Sequence, residues 1–104
     1  MNIEDRVMSF QNEVNGAIAE LLRAGFNEDW SPIVMLRHAA RVAGDGPSDR
    51  ASCVCNVADA FATIEERRKR KGRTARKSIV DATEVMHLRV VSNHLRRALV
   101  NFTA

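Results

Sequence analysis

Apolar side chains recur along this chain at alternating intervals of four and three, a spacing that restricts it to packed helices. Ile3, Val7, Phe10, Val14, Ala17, Leu21 and Ala24 form the clearest such seam and predict a first helix over residues 3–24. Asn2 is a good N-cap for it, and Glu4 and Asp5 suit the positive end of its dipole. Gly25 follows as a stop, with Phe26 placed to pack back on Leu21 in a Schellman ending. Gly16, mid-helix, costs about 1 kcal/mol relative to Ala and marks either a close helix approach or nothing.

Trp30-Ser31-Pro32 predicts the start of a short second helix, with Ser31 as cap, Pro32 in the first helical position, and Trp30 stapled to Met35. Gly44-Asp45-Gly46-Pro47 is the strongest break. Ser48 is the expected cap of a third helix running to about Lys71, with Val54, Val57, Ala58, Phe61 and Ile64 on its apolar side and Gly72 as its stop. A fourth helix is expected from about Ala75 to Asn101, capped by Thr74. Its seam is Val85, Leu88, Ser92, Leu95, Leu99 and Phe102, flanked by a second seam of Ile79, Ala82, Met86, Val91 and Ala98. The short turn between helices three and four makes them an antiparallel hairpin. No stretch sustains the period-two alternation of strands. The expected fold is thus all-α: one helical domain over 1–104, a bundle of three long helices and one short one.

The core must be built from aliphatic residues, since there are four Phe, one Trp and no Tyr. The longest run of large apolar residues is Ile33-Val34-Met35-Leu36, far short of the roughly 20 that span a bilayer. The acidic N-terminus has no apolar leader, so a cytoplasmic location without membrane association is expected. Cys53 and Cys55 stand two residues apart. On a helix they point to different sides, which argues against a mutual disulfide and for small core or boundary residues.

Charge is segregated. Arg67, Arg68, Lys69, Arg70, Lys71, Arg73, Arg76 and Lys77 lie within one segment containing no acid; elsewhere eight basic residues face 13 acidic ones. The run reads either as a solvated helix end that complements the dipole or as an electropositive knob for an acidic protein or a phosphate backbone.

Motifs for catalysis or metal binding are weak. Glu84-x-x-His87 has the spacing of one half of a di-metal ligand set, but the other half is missing. His87 and His94 are about 10 Å apart along a helix axis and cannot share one metal, so they should border the apolar stripe. His38 stands alone beside Arg37. Ala40-x-x-x-Gly44 resembles the first helix and turn of a helix-turn-helix. The following helix, however, opens with a single cation, Arg50, beside Asp49, and the basic run is at its far end. No nucleophile–base pair, phosphate loop or cofactor motif stands out, and the chain reads as a non-enzyme without cofactor or metal.

Helices one and four carry more apolar seam than a chain this short is expected to cover, so a homodimer joined by its long helices is expected. Val7, Phe10, Val14, Leu21, Leu88, Val91, Leu95, Leu99 and Phe102 are the candidate partner or self interface, with Arg89, Arg96 and Arg97 setting register. In size, all-helical plan and available seams the chain resembles the small bacterial antiactivators of quorum sensing. The resemblance implies a helical dimer that binds a LuxR-type transcription regulator and blocks its dimerisation or DNA binding; it carries over no functional residue. The expected function is therefore stoichiometric binding of another protein. Nucleic-acid binding through residues 67–77 or a degenerate helix-turn-helix is the alternative.

Overall fold

In the computed structural model, which describes residues 2–103 (the side chain of Thr103 excepted), Asn2 starts the chain's first helix. Its Oδ1 accepts from the Asp5 amide at 2.8 Å, and α1 runs over Ile3–Arg23. Gly25 takes a left-handed φ of 94°, and two backbone bonds close the end: Phe26 N–H to the Leu21 carbonyl and Gly25 N–H to the Leu22 carbonyl. That is the Schellman pattern read from the sequence.

Helix α2 spans Ser31–Val42. Its cap residue is Trp30, not Ser31: the Trp30 carbonyl accepts from Ile33 and Val34, and the Ser31 hydroxyl turns to the Met35 sulfur. Trp30 stacks on Phe26 with ring centroids 4.3 Å apart, an aromatic contact that outweighs a side-chain cap at this site. Helix α3 spans Pro47–Gly72, with Gly46 as cap at φ 154° and Ser48 one residue inside. Pro47 takes the first position because it has no N–H to leave unsatisfied.

Helix α4 spans Ile79–Thr103, four residues later than the sequence pattern suggested. Thr74 caps nothing there; its hydroxyl bonds the Lys71 carbonyl and the Asp81 carboxylate. The Ser78 hydroxyl accepts from the Asp81 amide at 3.2 Å instead. The cause is electrostatic. Arg76 and Lys77 would sit at the positive end of a helix begun at Ala75, whereas a start after Ser78 puts Asp81 in the first turn.

The four helices form a ring in which each packs on two neighbours: α1 on α2 and α4, α3 on α2 and α4. Successive helices are antiparallel. Gln11 Nε2 donates to the Ala40 carbonyl while Val7 approaches Gly44, and Arg67 binds Glu84 while Lys71 binds Asp81. On α1 and α4, Glu20 faces His87, Glu13 faces His94 and Phe10 faces Phe102. The molecule extends 46 Å in its longest direction.

The core is aliphatic as expected, with Phe10 its one fully buried ring. Gly16 does mark a close approach: a Cβ there would stand 2.7 Å from the His94 ring. At one end of the ring, a single side chain of α3 ties α4 to the connection between α1 and α2. Arg67 grips Glu84 through two bonds of 2.9 and 3.0 Å, and its guanidinium lies 4.8 Å above the Phe26 ring and 5.9 Å from that of Trp30.

Two stability measurements test this packing. Arg67→Lys loses the planar fork and the stack and is expected to cost about 1–2 kcal/mol, whereas Arg73→Lys should stay within about 0.5 kcal/mol of the parent in urea unfolding. Gly16→Ala should destabilise by about 1 kcal/mol by displacing His94, yet stabilise by a similar amount in a His94→Ala background, where only helix propensity remains.

Candidate protein-binding face

The residues expected at a partner or self interface lie mostly inside the subunit. Phe10, Val14, Leu21, Leu88, Val91 and Leu95 are fully buried, and Val7, Leu99 and Phe102 are half-buried against the same core. The correction has a simple origin. Although α2 has only 12 residues, its Ile33, Leu36, Ala39 and Ala40, followed by Ala43, are all buried and close the side of the bundle that the α1 seam was expected to leave open. The premise for pairing two copies through that seam is therefore absent.

The basic run divides in two. Arg67, Arg68 and Lys71 are tied to Glu84, Glu65 and Asp81 respectively. Lys69, Arg70, Arg73, Arg76 and Lys77 are exposed and have no ion pair among the described residues. The first group is structural; the second is an uncompensated positive cluster at the tip of the hairpin.

Large apolar side chains are exposed at Ile3 and Met8 on α1, Val34 on α2 and Val100 near the end of α4, and in a group of four that begins where this cluster ends. Ile79 is 86 % exposed, Val80 76 %, Met86 67 % and Val90 42 %. Ile79, Thr83, Met86 and Val90 follow one another at intervals of four, three and four, so they share a single stripe of α4. Of α4's two adjoining seams, the one through Leu88 and Leu95 turns inward. The flanking seam divides: Val91 and Ala98 turn inward, Ala82 is half-buried, and Ile79 and Met86 face out. Beside the stripe, between α4 and the last turn of α1, run two depressions of about 320 and 180 Å³ that share Thr83 and His87.

The carboxylates at the margin of this face are all occupied. Glu84 is held by Arg67, Asp81 by Lys71 and Thr74, and Glu20 by Arg23 and His87. Arg89, one turn from Met86 and exposed, has no ion pair among the described residues. Arg96 and Arg97 are paired with Glu65 and Glu13.

The remaining sequence candidates resolve as structural residues. Cys53 is buried, with its thiol on the Ala39 carbonyl at 3.2 Å, and burial pushes that thiol's pKa up. Cys55 is exposed rather than at a packed boundary, and neither cysteine is bridged. His38 bonds Arg41. His87 and His94 border the α1–α4 joint, each on a glutamate seven residues from the other, a ladder that the matching spacing of Glu13 and Glu20 would have revealed. Glu84 and His87 are turned to different partners, and among the described residues no group of three or more His, Cys, Asp or Glu is placed to hold a metal. Ala40 is buried, its carbonyl taken by Gln11, and the unpaired cations of the basic run lie at and just beyond the end of α3, far from the helix-turn-helix position. No helix among the described residues is long and apolar enough to cross a membrane.

No family model, curated protein or solved structure matches this chain.

The pairs beside the face give it a pH dependence. Hydrogen bonds from Arg23 and His87 hold the Glu20 carboxyl below its ordinary value of 4.5. Burial alone would raise Glu13, but bonds from His94 and Arg97 outweigh it and Glu13 is also depressed. A depressed folded-state pKa means that the unfolded chain binds more protons over this range. The stabilisation is complete above 4.5 and is lost as pH falls through the folded values. Melting temperature should therefore fall as pH is lowered below about 4.5, and fall less in Glu13→Gln/Glu20→Gln, as followed by circular dichroism.

Proposed function

We propose that this chain is a small cytoplasmic regulatory protein that acts by stoichiometric binding to another protein, and that it binds through the outward stripe of α4. One observation carries the reading: Ile79, Met86 and Val90 are exposed along one stripe of a helix whose inner side already fills the core, with Val80 exposed at the edge of that stripe. Nothing in helix formation calls for them there, since β-branched residues are weaker helix formers than the charged residues that usually cover a solvated face. An apolar stripe rimmed by charge is what recognition of a partner helix requires.

The resemblance to quorum-sensing antiactivators supplies a concrete partner class, a LuxR-type transcription regulator whose dimerisation or DNA binding would be blocked by occupation of one of its helices. The reading is for a heterologous partner. Pairing α4 with its own copy would set arginine against arginine along the same face.

The test compares two substitutions. Ile79→Asp/Met86→Asp changes only exposed positions and should keep helical content and stability within about 1 kcal/mol of the parent. It should lose the partner retained by the parent chain in affinity capture from native cytoplasm, with the mass of the complex measured. Leu95→Asp places a charge in the core and should unfold the chain instead. Retention of the partner by the folded Ile79→Asp/Met86→Asp variant would overturn the reading.

A further inference from the structure

Resting on the reading that α4's outer stripe is a protein-docking face, we propose that its occupant is an acidic amphipathic helix of the partner, lying along Ile79–Val90 with carboxylates turned to Arg73, Arg76, Lys77 and Arg89.

The first ground is length. From Ile79 to Val90 the stripe covers about three helical turns, close to 17 Å. That is the span over which a bound helix presents anchors at i, i+3 or i+4, and i+7. The shared depressions along Thr83 and His87 offer room for side chains beside the stripe.

The second ground is charge. Every charge on this face without an ion-pair partner is positive: Arg73, Arg76 and Lys77 in the turn before Ile79, and Arg89 beside Met86. The acids nearest them are already bound, Asp81 to Lys71 and Thr74, Glu84 to Arg67, and Glu20 to Arg23 and His87. Recruiting those acids to other partners would break bonds that hold the bundle together. The unmet electrostatic demand of the face is therefore for external carboxylates.

The third ground is what other occupants would leave unsatisfied. A second copy of this chain brings the same cations. Parallel pairing sets basic turn against basic turn, and antiparallel pairing over Ile79–Val90 sets the basic turn of each copy beside Ser92, Asn93 and Arg96 of the other, where no acid stands. A phosphate backbone would meet the cations but leave Ile79 and Val80, 86 % and 76 % exposed, without a partner. Base stacking needs exposed rings, and the nearest rings, Phe26 and Trp30, are stacked on each other under Arg67.

The experiment uses the whole chain and a fluorescein-labelled peptide of about 18 residues, with Leu at helical anchor positions and Glu elsewhere. Its control carries Lys in place of every Glu. Fluorescence anisotropy should show the acidic peptide binding at least about tenfold more tightly than the basic one, and weakening as salt rises. Arg73→Ser/Arg76→Ser/Lys77→Ser/Arg89→Ser should reduce its affinity about tenfold and flatten the salt dependence, and Ile79→Asp/Met86→Asp should abolish binding. Equal binding of the two peptides would overturn the proposal. So would indifference to the four-serine variant, or tighter binding of duplex DNA or of vesicles containing anionic lipid. If capture of the cellular partner depends on Ile79 and Met86 but not on the four cations, the docking face stands and the acidic helix is wrong. If capture depends on neither, the face itself is wrong.

Discussion

The arrangement of this bundle depends on where one guanidinium sits. Arg67 extends from α3 to the first turns of α4, where it takes both oxygens of Glu84, and its flat face covers the rings that end α1 and begin α2. The Schellman turn at Gly25 delivers Phe26, the extended backbone of Trp30 delivers the second ring, and their near-parallel stack makes a floor for the cation. A lysine could match the charge but neither the bidentate geometry nor the stack. With Glu84 fixed, the rotation of α4 about its own axis is fixed as well. Leu88 and Leu95 turn to the core and Ile79 and Met86 turn to solvent. The outward stripe is thus a consequence of the same contact that closes the ring.

One turn further along α4, the joint with α1 is polar in a regular way. Glu13 and Glu20 meet His94 and His87 in antiparallel register, and Gly16 lets the His94 ring reach the α1 backbone. A wholly apolar joint would have specified distance but not register, because aliphatic seams slide. Two carboxylate–imidazole pairs a heptad apart select one alignment of the two longest-range partners in the chain. Together with Phe10 against Phe102 near the other end, they hold α4 along α1 for most of its length.

Much of the fold was legible because its signals are local. The heptad of α1, its Asn2 cap and its Gly25 stop all depend on residues within a few positions of one another, and the structure has them as read. The errors came where a local signal competed with something distant. Ser31 and Ser48 are good caps in isolation, but Trp30 is drawn to Phe26 and Pro47 takes the first turn of α3. The start of α4 was set four residues too early because apolar spacing carries no information about the dipole, which disfavours Arg76 and Lys77 at a helix N-terminus. The site was read with the larger error. Periodicity identifies a seam but not what it faces, and the share of core filled by the 12-residue α2 was invisible until its Ile33 and Leu36 were seen fully buried. The second seam of α4, recorded as a flank, held two of the exposed residues that matter.

Exposed aliphatic residues are usually a liability, since a stripe that can receive a partner can also receive a copy of itself. Here the stripe and the uncompensated cations occupy the same face. Arg73, Arg76 and Lys77 stand before Ile79, and Arg89 stands beside Met86. Like charge at close range costs energy that apolar contact over three turns must overcome, so the face is biased against homotypic pairing while an acidic helix gains from both contributions. Had the acids at its margin been free, that discrimination would vanish, because Glu20, Asp81 and Glu84 of one copy could satisfy the cations of another. Their capture by Arg23, His87, Lys71, Thr74 and Arg67 keeps the face at one sign. The intramolecular ion pairs therefore serve two ends: they fasten the helices, and they leave the outer face of α4 with only positive charge free.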